Sequence, residues 1–354
     1  MTPGPAAIST ISTPTWAMRR LGDASLLLWF AAAVGGVLDM DEPARARPGS
    51  VTVGNDTYAL PARWVIEAID GGVVDVSRNG LVSNATGFYG FGRWYWKGPR
   101  PAAAPAAVDS PVLSLVQIFD NYFQHIVFDT LPKMAAACPF LAARPDVRVL
   151  VMNDLMRDLV VEACPALGPE RCFSSASPVR APVVYLPVTD TVHAMGLVPP
   201  NSVPSLRAPS PRARGPPPTD AVFVARHRGT TRSVANEAAV LAALRERWPA
   251  LRVLYPTGDW RANRAALANA SVLVGPHGGA FANMVFLPEN ATVLEFSPVV
   301  RLWKRGENPR PCYLGLAVGL GLTYYALAPN EPFSFDGGPM TVPVDDLRAL
   351  LRLI

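Results

Sequence analysis

Ala270 to Pro298 reads ASVLVGPHGGAFANMVFLPENATVLEFSP, and the order of residue types in it decides the fold class. Ser271 to Val274 is a short apolar run closed by glycine, the pattern of a strand buried on both faces of a parallel sheet. Gly275-Pro276-His277-Gly278-Gly279 interrupts the run and lets the backbone turn and approach a ligand with no Cβ in the way. Ala280 to Phe286 predicts a short helix whose free N–H groups and dipole favour an anion such as a phosphate. Leu287-Pro288 ends it, and Thr292 to Phe296 predicts the next strand. That strand carries Glu295 near its C-terminal end, the edge at which open α/β sheets bind ligands. A carboxylate there is placed to accept hydrogen bonds from ribose hydroxyls.

The same stretch also reads as a tight strand-to-helix turn kept only for packing. His277 argues for a ligand, because an imidazole flanked by glycines has no evident local packing role and can donate to a phosphoryl oxygen. The glycines exclude two familiar phosphate loops: no Lys-Ser/Thr follows them, and the Gly-x-Gly-x-x-Gly spacing of dinucleotide binders is absent.

Outward from this stretch, residues 219–354 alternate in type. Strands are predicted at Ala221–Ala225, Leu251–Tyr255, Ser271–Val274, Thr292–Phe296 and Leu322–Leu327. Helices are predicted at Asn236–Arg247, Trp260–Ala268, Ala280–Phe286 and Tyr313–Gly319, with a closing amphipathic helix at Asp345–Leu353. Repeated β-α units mean a parallel, doubly wound sheet. At the C-terminal end of its first strand lies Arg226-His227-Arg228-Gly229-Thr230-Thr231-Arg232. Guanidinium groups recognise phosphate bidentately and keep their charge, so Arg226 and Arg232 can balance a diphosphate without a metal. A solvated basic loop is the plainer alternative; the shared sheet edge with His277 favours the ligand reading.

Pro199 to Pro218 holds eight prolines in twenty residues and reads as a linker or excursion. Before it, residues 51–198 form an expected second α/β domain. Val51 to Pro99 suits short strands and turns and includes the aromatic group Phe88, Tyr89, Phe91, Trp94, Tyr95 and Trp96, which suits a core or a sugar-stacking surface. A strand at Val147–Met152, a helix at Asp154–Cys164 and a strand at Val183–Val188 follow. Within the helical pattern NYFQHIVFDTLPKMAAA (Asn121 to Ala137), His125 and Asp129 stand four apart and share a face. A carboxylate beside an imidazole fixes its tautomer and raises its basicity, which is what removal of a proton from a hydroxyl requires. A structural hydrogen bond is the alternative, and Pro132 is expected to kink or end the first turns.

Residues 1–50 form an expected tail. Arg19-Arg20 precedes Ala24 to Leu38, fifteen residues without a charge, and Asp39, Asp41 and Glu42 follow. That order fits a cleaved signal peptide or a short signal anchor, with a buried core helix as the alternative. Sequons at Asn55, Asn84, Asn269 and Asn290 are compatible with a secretory route. Asn269 and Asn290 flank the glycine loop, so glycans there would be awkward for a ligand.

With 354 residues, 50% hydrophobic and 17% charged, the chain buries a sizeable core and is not disordered. A net charge of +4 without a dense Lys/Arg run gives nucleic-acid binding no support. Cys138, Cys164, Cys172 and Cys312 form no Cys-x-x-Cys or Cys/His cluster, which argues against a structural zinc; two disulfides are permitted and none is implied.

YFQHIVFDTLPK, FVARHRGTTRSVANE and VLVGPHGGAFANMVFLPENATVLEF together, in this order, resemble glycosyltransferase family 61 over Leu113 to Leu327. That family more often shows His-Gly-Ala-Gly where this chain has His277-Gly278-Gly279-Ala280. The resemblance implies a GT-B-like fold, two Rossmann-like domains facing a cleft. A UDP-sugar donor would sit on Arg226, Arg232, His277, Gly278, Gly279, Asn283 and Glu295, with His125 and Asp129 facing a glycan or glycoprotein acceptor. It also implies inverting transfer of a xylose, arabinose or N-acetylglucosamine-class sugar in the ER or Golgi lumen, by a single-pass type II or secreted protein. Asp39-Met40-Asp41 is the one Asp-x-Asp, and it abuts the hydrophobic segment rather than a strand end, so no strict Mn²⁺ requirement is expected. A catalytically silent nucleotide-sugar or glycan binder is the alternative function.

Overall fold

Val222, Leu273 and Val293 point to one face of their sheet, and Phe223, Val274 and Leu294 to the other; all six are buried. A strand that must hide both faces has no place for polar alternation, and helices must cover it above and below. In the computed structural model these strands are β6 (Asp220–Val224), β7 (Arg252–Leu254), β8 (Ala270–Pro276), β9 (Thr292–Phe296) and β10 (Thr323–Leu327), numbered after β1 to β5 below. They pair in the order β7-β6-β8-β9-β10, parallel throughout. The chain leaves β6 toward β7 on one side and returns to β8 on the other, so the topological switch point lies between β6 and β8.

The structure describes short strand segments between residues 45 and 59, residues 64–89 with breaks, 104–189 except 118, residues 203 and 206, 220–298, 312–330, and 333–354 with breaks. The segment Ala24 to Leu38, Asn55, the rings of the Phe88–Trp96 group and most of Pro199 to Pro218 lie outside what is described.

The first half repeats the architecture. β1 (Trp64–Asp70), β2 (Val112–Ser114), β3 (Arg148–Leu150), β4 (Cys172–Phe173) and β5 (Val183–Thr189) pair in the order β4-β3-β2-β5-β1. Four are parallel, and β1 runs antiparallel along β5. The switch point here lies between β2 and β5. A second five-stranded sheet of two- and three-residue strands and an antiparallel ribbon starting at Arg45–Arg47, inside the expected tail, complete the strands among the described residues.

Between the sheets runs α1 (Phe123–Ala143). It was expected to kink or stop at Pro132, because proline lacks an N–H and its ring collides with the preceding turn. The helix instead opens into a π segment at Ile126–Thr130, where Leu131 N–H reaches back to the Ile126 carbonyl, and resumes as α-helix to Ala143. The wider turn absorbs the proline in place of a break. α1 is long and apolar enough to cross a membrane, yet Ile126, Leu131, Met134 and Leu141 are fully buried within the protein.

The other helices are α2 (Asp154–Ala163), α3 (Glu237–Arg247), α4 (Trp260–Leu267), α5 (Cys312–Leu320) and α6 (Val344–Leu351). Asn153 caps α2 by accepting from Met156 N–H at 2.9 Å, and Asp259 caps α4 by accepting from Arg261 and Ala262, each cap contributing about 1 kcal/mol. Cys138 of α1 and Cys164 at the end of α2 form a disulfide, while Cys172 and Cys312 are not disulfide-bonded among the described residues.

One apolar cluster passes through both halves, from Leu113, Ile126 and Met134 to Leu273, Phe286 and Leu316. Val203 and Leu206, from the proline-rich stretch, are buried in it. On its far sides, Phe223, Val240 and Leu347 close the second sheet, and Ile69, Val112 and Val184 close the first. Arg261 bonds Asp158 at 3.1 Å and Arg264 pairs with Glu162, so α2 and α4 are also joined across the halves.

Candidate functional site

The loop after β6 and the loop after β8 leave adjacent strands at the switch point, which brings Arg226 against Gly278. An ideal Cβ built on Gly278 would fall on Nη1 of Arg226, well inside contact distance, and the φ of Gly278 is +155°. Only glycine provides both the space and the backbone angle there. Arg232, itself at φ +62°, follows in the same loop and is anchored by its N–H to the Gly338 carbonyl at 3.0 Å. The Nε atoms of Arg226 and Arg232 are buried and have no hydrogen-bond partner. Burial first, then the neighbouring positive charge of Arg232, lowers the pKa of Arg226. Two half-buried guanidinium groups that repel each other and have no carboxylate partner among the described residues form a site prepared for an anion.

His277 lies beside this pair and is tied to the end of β9 by its N–H to the Phe296 carbonyl at 3.2 Å. It is only 3% exposed, with Tyr313 and Phe335 ring centroids at 4.9 and 4.6 Å. The packing role that sequence reasoning could not find is therefore present. Its Nδ1 lies 2.5 Å from Oε1 of Glu295, and Tyr324 donates its hydroxyl to Oε2 of the same carboxylate. A carboxylate only accepts, so Nδ1 carries the proton and Nε2 is the atom left for other partners. Glu295, expected to receive ribose hydroxyls, is 2% exposed and is engaged through both oxygens inside the protein. In this structure it orients His277 rather than facing an open site.

Gly279 to Phe286 is the expected short helix, in 3-10 form. Phe281 to Phe286 are all buried in it. Gly279 lies against α1: a Cβ there would meet Oε1 of Gln124 at 2.5 Å, so that side chain would have to shift. Asn283, expected at the ligand, is buried within this helix and donates to the Ala280 carbonyl at 2.7 Å; its Oδ1 has no partner.

On the other side of Gln124, Nδ1 of His125 lies 3.1 Å from Oδ2 of Asp129, and both side chains are about a quarter exposed. The expected pair is formed across the start of the π segment. Beneath it lies a buried polar group that the sequence did not single out. Asp120 accepts from Gln117 N–H at 2.5 Å and from the Thr130 hydroxyl at 3.2 Å, while Lys133 donates to Gln117 Oε1. Burial raises the Asp120 carboxyl to about 7, against the opposing pull of Lys133. Burial likewise lowers Lys133 to about 8, opposed by the charges of Asp120 and Asp129. A lysine inside an apolar helical run was the available signal for this group.

Tyr313, at the start of α5, joins the two clusters. Its ring packs on Phe128 at 5.2 Å, His277 at 4.9 Å and Phe281 at 5.6 Å. Burial raises its phenol well above the usual value, and Arg226 and Arg232 are close enough to oppose that rise. It stands 36 residues beyond His277 in the chain, too far for any local motif to reveal. The His125/Asp129 pair and the arginine pair are thus linked through two aromatics, Phe128 beside His125 and Tyr313 beyond it. A proton acceptor on one side and an anion cradle on the other can serve a displacement in which a hydroxyl attacks and a phosphate leaves.

No curated protein matches this chain at a significant level. Residues 123–294 match the family model described as Glycosyltransferase 61, from the first residue of α1 to the residue before Glu295.

Proposed function

With residues 123–294 belonging to glycosyltransferase family 61, we propose that this protein transfers a sugar from a UDP-sugar to a hydroxyl of a glycan or glycoprotein, with inversion and without a strict metal requirement. The observation that carries the reading is the anion site of Arg226, Arg232 and Gly278, whose buried Nε atoms lack partners. A diphosphate supplies the missing acceptors and relieves the repulsion between the guanidinium groups.

In the proposed step, Nε2 of His125 takes the acceptor proton while Asp129 holds Nδ1. The acceptor oxygen forms its bond to the anomeric carbon as the bond from that carbon to the diphosphate breaks. The electron pair goes to the leaving phosphate oxygen, where Arg226 and Arg232 stabilise it. With Nδ1 of His277 held by Glu295, Nε2 is the ring atom left to face an arriving diphosphate. Glu295 is engaged by His277 and Tyr324, which supports direct displacement over a covalent sugar–carboxylate intermediate. Action in the secretory pathway agrees with the Cys138–Cys164 disulfide, since such bonds persist in oxidising compartments.

The test is a panel of UDP-sugars scored by thermal shift and by UDP release, with and without chelator. One donor that stabilises the protein and is turned over in chelator is the expected result. Binding without turnover leaves a silent nucleotide-sugar binder, activity that needs Mn²⁺ removes the metal-independent step, and binding of no donor overturns the reading.

A further inference from the structure

We infer that Phe119 and Tyr122 form an aromatic platform on which a pyranose ring of the acceptor stacks beside His125. The inference rests on the glycosyl-transfer reading and goes beyond it by naming how the acceptor is seated.

Phe119 and Tyr122 are 50% and 51% exposed, a costly disposition for rings of this size. Their centroids lie 6.4 Å apart, and 5.0 and 6.5 Å from the His125 ring. Phe119 is held at φ +66°, a left-handed angle that costs a bulky residue free energy and that packing does not repay, since half of the ring is in solvent. The turn is nevertheless pinned. Tyr122 N–H bonds the Phe119 carbonyl at 2.9 Å. Between the two rings, Asp120 points inward to Gln117 and Thr130, while its carbonyl accepts from Asn153 at 3.2 Å. One inward anchor thus presents two rings outward at a fixed spacing, immediately beside the imidazole that takes the acceptor proton.

A pyranose suits this surface better than a peptide side chain. Its axial C–H groups present a flat, weakly apolar face to a ring, and its equatorial hydroxyls lie at the rim, where Nε2 of His125 reaches one of them. The tilt of 58° between the two rings makes a shallow trough rather than a flat wall, which fixes the direction in which a sugar enters.

The experiment measures transfer from the accepted UDP-sugar to xylotetraose, chitotetraose and methyl pyranosides, alongside donor hydrolysis without acceptor. Phe119→Ala and Tyr122→Ala are expected to raise the acceptor KM by tenfold or more, leaving donor KM and acceptor-free hydrolysis unchanged, and Phe119→Trp is expected to restore it. Phe119→Gly separates function from folding: it satisfies the left-handed backbone, so Tm rises while the acceptor KM rises as well. Unchanged acceptor KM in both alanine variants overturns the platform while transfer itself stands. Absence of donor hydrolysis and transfer in the unsubstituted protein overturns the underlying reading and the platform with it.

Discussion

Replacing Gly278 with alanine adds a single methyl group at the most constrained point of the anion site. Its Cβ has nowhere to go: it falls on Nη1 of Arg226, inside the 3.0 Å that Cβ atoms keep from other heavy atoms, and the backbone angle of +155° is strained for any L side chain. The flexible partner yields first, so the guanidinium leaves the cradle before the backbone does. Loss of a hydrogen bond to a charged group costs about 1.5–3 kcal/mol, which lowers donor affinity by roughly 10- to 150-fold. The backbone strain adds about 1–3 kcal/mol to folding, a fall in Tm of several degrees that a thermal scan resolves. The decisive measurement is a double-mutant cycle on UDP-sugar affinity by calorimetry. If the methyl acts by expelling Arg226, Gly278→Ala with Arg226→Ala binds no more weakly than Arg226→Ala alone. Additive losses, or a Gly278→Ala protein with full affinity, would mean that Gly278 does not serve to admit Arg226.

Other outcomes follow from the same structure. Tyr324→Phe leaves one oxygen of buried Glu295 without its donor, a loss of about 1–3 kcal/mol of stability by denaturant titration, and Glu295→Ala is expected to lower turnover more than Tyr324→Phe does because it also leaves Nδ1 of His277 without its acceptor. Replacing Cys138 and Cys164 by serine opens a loop of 26 residues, a destabilisation of about 3–4 kcal/mol, and a reducing agent gives an equal fall in Tm in the unsubstituted protein. Asp120 is raised from its unfolded value of 3.8 to about 7, so the folded state holds a proton that the unfolded state has lost; stability from this group is complete below pH 3.8 and declines as pH rises to about 7. Lys133, lowered to about 8, has the opposite sign: the folded state lacks a proton between pH 8 and 10.5, so stability recovers across that window. The difference between unsubstituted protein and Asp120→Asn in unfolding free energy against pH isolates the first slope, and an Asp120→Asn profile parallel to the original sinks it.

The second sheet was legible because its strands are buried on both faces and stand between turn residues. Predicted and observed strands agree within two residues at every end, and Thr292–Phe296 agrees at both. The His125/Asp129 pair was legible because four residues separate partners on any helix-like turn, and it survived the change from α to π that Pro132 brings. What local pattern could not give was the state of each polar atom. Glu295 sits on the anticipated strand edge, but Tyr324 from the next strand and His277 from the preceding loop engage its oxygens, and strand register alone decides that. The partners of Gly279–Phe286 come from α1 in the other half, where Gln124 lies against Gly279 and Phe123 lies 5.9 Å from Phe286, beyond the reach of any local pattern. Asn269 and Asn290 looked awkward beside the loop because sequence distance ignores strand direction. Both are exposed and immediately precede β8 and β9, so they mark the N-terminal edge of the sheet, opposite the edge that carries His277.

The packing of α1 bears on how such a chain can be recombined. Phe123, Gln124 and Phe128 lie against Phe286, Gly279 and Tyr313, so the helix that bears His125 and Asp129 packs on the elements that follow the glycine loop. A chimera joined in the proline-rich stretch would separate these partners and would also cut through Val203 and Leu206, which are buried in the shared core. The portable unit is instead the second sheet together with Phe123–Ala143 and the α2 helix stapled to it by Cys138 and Cys164. Exchange of sugar specificity between chains of this architecture therefore requires a graft discontinuous in sequence, and libraries crossed over at a single point would return mostly misfolded products.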